Sequence, residues 1–322
     1  MLTIPAAQWN PKILPQAAGK TFVVTGGHAG ISYFISEQLA STGATVVMAS
    51  RSEAKAQKAI SAIRARVPGA SVSYLHLDLS RLSSVAGTAS ALADLPRVDA
   101  LVLNAAALYA KTRTETVDGN ETVFGANAVG NFALTAGAME VLERTAGSRV
   151  VTLASTAPWL ARLRTLDLAN LNSTAGAYQS FPTYARSKAA QMLVALELDR
   201  RLRDSDTSVA SVLAHPGGAH DGLSPRRAAV IEPTALQRMK SWPFVGVGQG
   251  KDRGAWPIVR AVLDPAVEGG QIWGPRLWSS IGQPRLERAT GVIHSIRLLR
   301  DDALARATWD ALEELAGVEW KI

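Results

Sequence analysis

Short apolar, β-branched runs at Thr21–Thr25, Ala44–Ala49, Ser71–Leu77, Val98–Asn104, Arg149–Ala154 and Thr207–Ala214 alternate with stretches of helical pattern, and this alternation constrains the fold most. Parallel neighbouring strands need a long crossover, usually a helix, so such a series builds βαβ units. Ala44–Ala49 and Ala100–Leu103 are almost continuously apolar, as strands covered on both faces are. The expected class is therefore α/β, a doubly wound parallel sheet with helices on both sides. Ile31, Phe34, Ile35 and Leu39 stand at i, i+3, i+4 and i+8, the core stripe of the first helix, and Gly43 supplies its left-handed stop. A second stripe at Leu304, Trp309, Leu312 and Leu315 predicts that the C-terminal extension docks on the same domain.

Composition excludes several function classes. With 322 residues, 47% hydrophobic and 19% charged, the chain is globular and suits one large α/β domain over 20–322 after a lead-in over 1–19 that carries Pro5, Pro11 and Pro15. That lead-in has no charged-then-apolar signal-peptide pattern, and no run of about 18 apolar residues marks an integral membrane segment. There is no cysteine, hence no disulfide, thiol nucleophile or Cys-ligated metal, and a reducing cytoplasm fits. The net charge of +7 comes from scattered Lys and Arg without an aromatic-interleaved stripe, so the reading is a solvated basic surface and no nucleic-acid partner. Within Pro216–Gly250, proline-rich and flanked by glycines, the expectation is a lid between a strand and a helix.

Thr25-Gly26-Gly27-His28-Ala29-Gly30-Ile31 follows the first strand and opens the first helix. Glycines there let backbone approach a pyrophosphate held at the helix N-terminus, the dinucleotide site of a Rossmann fold; a plain tight turn is the competing reading. The second strand ends at Ser50-Arg51, where an acidic residue would bind a free ribose 2′-hydroxyl and repel a 2′-phosphate. Arg51 offers a phosphate partner instead. Asp78-Leu79 and Asn104-Ala105 end the third and fourth strands at the ligand-binding edge, where their polar groups either meet cofactor or cap turns. Ser155 ends the fifth strand, and Tyr184 and Lys188 share one face of a helix one turn apart.

In this order the residues resemble the short-chain dehydrogenase/reductase family over roughly 20–222. Its Thr-Gly-x-x-x-Gly-Ile-Gly is matched from Thr25 to Ile31, with Ser32 at the last glycine; its Asn-Asn-Ala-Gly is matched loosely at Leu103–Ala106. The resemblance assigns Asn127, Ser155, Tyr184 and Lys188 as catalytic and Pro216-Gly217 as the turn beside the nicotinamide. Asp221 replaces the usual threonine, and the insertion between Ser155 and Tyr184 is similar to the retinol dehydrogenase and protochlorophyllide reductase-like branch. The implied cofactor is NADP(H), contacted by Gly26, His28, Gly30, Ile31, Ser50, Arg51, Asp78, Leu79, Asn104, Ala105, Tyr184, Lys188, Pro216 and Gly217. The implied reaction interconverts a carbonyl and an alcohol, with Tyr184 as acid/base, Lys188 lowering its pKa and gripping ribose, Ser155 donating to the substrate oxygen, and Asn127 holding a water that passes protons to Lys188.

Hydride delivered to a carbonyl leaves charge on oxygen that needs a proton donor, so these residue types suit the chemistry. His215, His220 and Asp221 flank a Pro-Gly-Gly turn that spoils convergence on an ion, so no metal is expected. Tyr109, Trp159, Trp242 and Phe244 point to a hydrophobic small-molecule substrate. The family commonly forms dimers or tetramers through the helices after Asn127 and Tyr184. A lyase or isomerase, or an NADP(H)-sensing regulatory protein, uses the same scaffold.

Overall fold

The computed structural model describes residues 9–320 and Ile322; the first eight residues of the expected lead-in lie outside the described residues. Strand β1 (Thr21–Thr25) is followed by α1 (Gly30–Ala40), β2 (Thr45–Ser50), α2 (Glu53–Arg66), β3 (Val72–His76), α3 (Leu82–Ala93) and β4 (Ala100–Leu103). Then come α4 (Gly130–Glu143), β5 (Arg149–Leu153), α5 (Ser180–Asp204), β6 (Ala210–Ala214), α6 (Trp256–Leu263), β7 (Ile272–Leu277), β8 (Ile281–Leu286) and α7 (Asp302–Ala316). The sheet order is β8-β7-β6-β5-β4-β1-β2-β3, parallel except for the β7–β8 hairpin. From β1 the strands are added outward through β2 to β3 and then outward from β4 on the other side, and this switch in order between β1 and β4 places a crevice outside the strands' carboxyl ends.

Alternate residues of a strand face opposite sides of the sheet, and β1 shows the consequence. Val23 joins a core with Phe124, Leu134, Leu193 and Trp309; Phe22 and Val24 join one with Phe34, Ile35, Leu39 and Ile258 on the other face. Each such side chain, fully buried, contributes about 1.5–3 kcal/mol. The predicted stripe of α1 buries Phe34, Ile35 and Leu39, and Ile31 packs at its edge. Trp9 and Ala17 are buried, so the described part of the lead-in packs on the second core.

The terminal stripe docks as expected. Asp301 caps α7 by accepting from the Leu304 amide at 2.9 Å, and Trp309 is fully buried between Phe132 of α4, 4.9 Å away ring to ring, and the Arg201 guanidinium of α5, 4.4 Å above its ring. The two helices expected to pair subunits are thus partly covered by the chain's own last helix. Strands β7 and β8 were not expected, since Pro275 and Pro284 interrupt their pattern. The two prolines face each other in the hairpin; β8 is the sheet edge, and β7 pairs with β6 only at Ile272 and Trp273, so no inner ladder bond is lost.

The segment read as a lid is more ordered than its sequence suggested. Ala219–His220 and Gln249–Gly250 pair as a short parallel ladder at its base, and Ala235–Ser241 is helical. Thr234 and Gln237 form the cap: the Thr234 hydroxyl accepts from the Gln237 amide at 3.1 Å and the Gln237 side chain accepts from the Thr234 amide at 2.8 Å. The Thr-x-x-Gln spacing was the available signal.

Candidate active site

At the strands' carboxyl ends the loops enclose a cleft of about 600 Å³. Its floor is organised by Thr25, whose hydroxyl donates to the Val102 carbonyl at 3.2 Å and accepts from the Asn104 and Ala105 amides at 3.0 and 2.9 Å. Gly30 opens α1 with φ of +57°, a left-handed conformation that favours glycine. A Cβ on Gly30 would meet nothing nearer than Lys251 Nζ at 3.7 Å, so the first turn of α1 stays open to a ligand. Ser32, in place of the motif's last glycine, is buried without crowding: its hydroxyl accepts from the Asn104 amide side chain and ties the glycine loop to β4.

Every residue assigned to the cofactor lines this cleft, from Gly26, His28, Gly30 and Ile31 through Ser50, Arg51, Asp78, Leu79, Asn104 and Ala105 to Tyr184, Lys188, Pro216 and Gly217, and Ser155 lines it too. His28 Nδ1, Ser50 Oγ and Asn104 Oδ1 are buried there without hydrogen-bond partners. Unpaired buried polar atoms are costly unless a ligand satisfies them, so these residues fit a polar dinucleotide. Burial, then the positive charges of Lys55 and Arg51, hold His28 below its ordinary pKa. Lys55, one turn after Arg51, therefore belongs to the same basic corner; sequence reading missed it although the spacing was visible. Asp78 also follows the plainer reading, accepting from the Ser80 amide at 3.0 Å in a turn. Gly217 lies with φ of +65° where a Cβ would fall 2.3 Å from the Ser280 carbonyl, so it allows the turn beside the cleft to pack against the loop that joins β7 to β8.

Tyr184 and Ser155 both line the cleft; burial raises the Tyr184 phenol above its ordinary pKa, and the neighbouring Ser155 offsets only part of that rise. The expected lowering by Lys188 is not what this geometry delivers. Lys188 is fully buried, its ammonium donates to the Leu153 carbonyl at 2.6 Å and to the Gln191 side chain, and burial pushes its pKa down to about 7. Gln191, one turn further along α5, is a partner that the Tyr-x-x-x-Lys pattern does not name.

Asn127 stands behind the cleft wall. It sits in a wide helical turn over Gly125–Val129, accepts from the Ala107 amide at 2.7 Å and donates to the Ala107 carbonyl and the Ser187 hydroxyl, both at 3.0 Å. Asn131 occupies its carbonyl at 3.0 Å. In this structure the side-chain amide locks the loop after β4 onto α5, with no donor left over for a relay. His215, His220 and Asp221 point to different partners. His215 Nε2 lies 3.4 Å from Glu287 Oε2, both buried; His220 stacks on Phe244 at 4.6 Å; Asp221 pairs with Lys251 at 2.5 Å. Burial alone would raise the Glu287 carboxyl, yet the nearby His215 ring and the Ile293 amide, which donates to Oε1 at 2.9 Å, hold it below the usual range.

The sequence profile of the short chain dehydrogenase family matches residues 20–163. Polyprenol dehydrogenase of Mus musculus is 36% identical over 265 residues, 81% of this chain and 76% of the relative. The chain belongs to the short-chain dehydrogenase/reductase family. Retinol dehydrogenase 12 of the same species is 30% identical across 95% of this chain and 89% of its own length, which places this short-chain dehydrogenase/reductase in the retinol dehydrogenase-like branch. An uncharacterised protein from Mycobacterium paratuberculosis has the same architecture, with a TM-score of 0.75 and 29% identity over 98% of this chain and 99% of its own. The family uses NAD(P)(H), and the fit of the cleft described above agrees. Among the described residues no helix is long and apolar enough to cross a membrane.

Proposed function

We propose that this short-chain dehydrogenase/reductase interconverts a carbonyl and an alcohol on a hydrophobic small molecule, using NADP(H). The observation that carries the reading is the meeting of Tyr184, Ser155 and Lys188 in the one cleft that the glycine loop also lines. When bound, the nicotinamide supplies or accepts the hydride. Tyr184, its phenol kept protonated by burial, gives the carbonyl oxygen its proton in the reductive direction and takes it back in the oxidative one. Ser155 hydrogen-bonds the same oxygen and limits the charge that builds on it. Lys188, held by Leu153 and Gln191, is fixed on the side of α5 that faces the cleft, ready to orient the cofactor's sugar, and Asn127 keeps the adjoining loop in place.

For NADP(H) over NAD(H) the support is Arg51 and Lys55 beside His28 at the end of β2, a strand that closes on Ser50-Arg51 and not on an acidic residue. For an apolar substrate it is the apolar mouth: Leu108 and Tyr109 are exposed beside Tyr184, whose ring lies 5.2 Å from that of Tyr109, and relatives carry the names of polyprenol and retinol. The cytoplasmic location drawn from the cysteine-free composition stays part of this reading, as does a dimer or tetramer, which would need a surface that α7 leaves open. The test is consumption of NADPH, followed by absorbance, against a panel of apolar aldehydes, ketones and enones. A protein that binds NADPH and turns over none of them would favour the regulatory reading.

A further inference from the structure

One cation of the cleft belongs to no motif and takes no part in the chemistry above. Lys251 starts the short helix Lys251–Gly254, and that helix is placed by contacts that do not involve the Lys251 side chain. Its amide donates to Ser224 Oγ at 2.9 Å, Gly250 before it pairs with His220 in the short ladder, and the Gln38 side chain of α1 donates to the Asp252 carbonyl at 2.8 Å. The backbone of Lys251 is therefore tied to α1 itself. Its ammonium reaches over the glycine loop, to within 3.7 Å of the position a Cβ on Gly30 would take.

That location is where an anion at the α1 N-terminus would lie, so charge and helix dipole act on the same group. The present partner of Lys251 is Asp221, 2.5 Å away, whose side chain is 49% exposed against 21% for the lysine. An ion pair with one half-exposed member is weak because solvent screens it. A pyrophosphate, with two charges and several acceptor oxygens, competes well for the same ammonium. Asp221 stands where the family resemblance expects a threonine beside the nicotinamide, so this chain has put a carboxylate next to the anion path and matched it with a lysine about one lid length away.

We propose that Lys251 binds the pyrophosphate of the nicotinamide cofactor and that Asp221 is its internal competitor, displaced from the ammonium as the dinucleotide enters. The inference rests on the cofactor reading above and adds to it a residue and a counter-ion of opposite effect. Lys251 differs from Arg51 in its target. Arg51 reads a phosphate that only NADP(H) carries, whereas the pyrophosphate is common to both dinucleotides, so Lys251 contributes affinity without selectivity.

The test is titration of NADPH and of NADH by nicotinamide fluorescence for the unmodified protein and for Lys251→Met, Lys251→Arg, Asp221→Asn and the Lys251→Met/Asp221→Asn pair, with melting temperature as a check on folding. Loss of a charge-assisted hydrogen bond predicts that Lys251→Met raises Kd about tenfold or more for both cofactors alike. Lys251→Arg keeps most of the affinity, Asp221→Asn lowers both Kd values, and that gain shrinks in the paired variant. The salt dependence of binding is shallower for Lys251→Met. Unchanged Kd values in Lys251→Met, or a loss confined to NADPH, overturn the proposal, and so does weaker binding in Asp221→Asn. If the unmodified protein binds neither dinucleotide, the cofactor reading itself falls; if it binds both and Lys251→Met matches it, only this inference does.

Discussion

The wall of the cleft built from β1, β2, β4 and α1 buries nearly every side chain it owns: Thr25, Ser32, Ser50 and Val102 are each below 5% exposed. In the lid segment, by contrast, Leu236, Met239, Trp242, Val245 and Val247 are all more than half exposed, Trp242 at 78%. The cleft wall presents backbone amides and small polar groups fixed by hydrogen bonds, which suits a ligand whose shape never changes. The lid segment presents large apolar surface on and just after the short capped helix Ala235–Ser241, which can be altered without disturbing the sheet. The two regions therefore differ in how far a substitution in each would reach into the fold.

The hardest test of that contrast is Tyr184→Phe, which removes one hydroxyl in the cleft. Turnover should fall by roughly 10² to 10⁴-fold, with NADPH affinity and melting temperature unchanged; near-full turnover would show that another group moves the proton. Next is the stability of the buried ammonium of Lys188. Its pKa is about 7 folded, against an ordinary 10.5, so between those values the unfolded chain binds the extra proton and stability rises with pH. Below about pH 7 the burial penalty is carried in full. The unmodified protein should gain up to about tenfold in its folding equilibrium per pH unit above 7 relative to Lys188→Met, measured by urea titration; parallel pH profiles would refute the buried charge.

Arg51→Ala sharpens the contrast on the rigid side. NADPH Kd should rise about tenfold or more while NADH Kd stays put, since only the 2′-phosphate loses a partner; an equal loss would make Arg51 a structural residue. The smallest effect belongs to the lid. Trp242→Ser should change KM for an apolar substrate by roughly two- to fivefold, as rim contacts do, with cofactor Kd and melting temperature unaffected. A drop in melting temperature would mean that the lid carries more of the fold than its exposure suggests.

What the sequence made legible follows the same split. The inner parallel strands announced themselves because strands covered on both faces are almost continuously apolar, and Thr21–Thr25 was read to the residue, while the half-exposed edge strand β3 was read from its mixed pattern. The cleft's cofactor wall was legible because glycine and β-strand edges obey local rules. The β7–β8 hairpin was not, because Pro275 and Pro284 are acceptable only through their places in the finished sheet. Lys251 was invisible for a related reason: it meets Gly30 across more than two hundred residues, with no spacing rule between them. The bonds of Asn127 to Ala107 and Ser187 were not legible, since a pattern names a residue and not the bonds its amide makes. Ser32 departs from the motif's last glycine, and its partner Asn104 lies too far along the chain for any spacing rule to name it.

The helix that ends near residue 316 bears on how this protein is made. Trp309 and Leu312 complete the core on the α4 and α5 side, yet they follow α5 by about a hundred residues of synthesis. At roughly 5–20 residues per second on the ribosome, that apolar face stays uncovered for on the order of ten seconds after α5 has emerged. During this interval a nascent chain presents Phe132 and its neighbours to whatever it meets, so this side of the core closes only after the lid segment and the β7–β8 hairpin have been made.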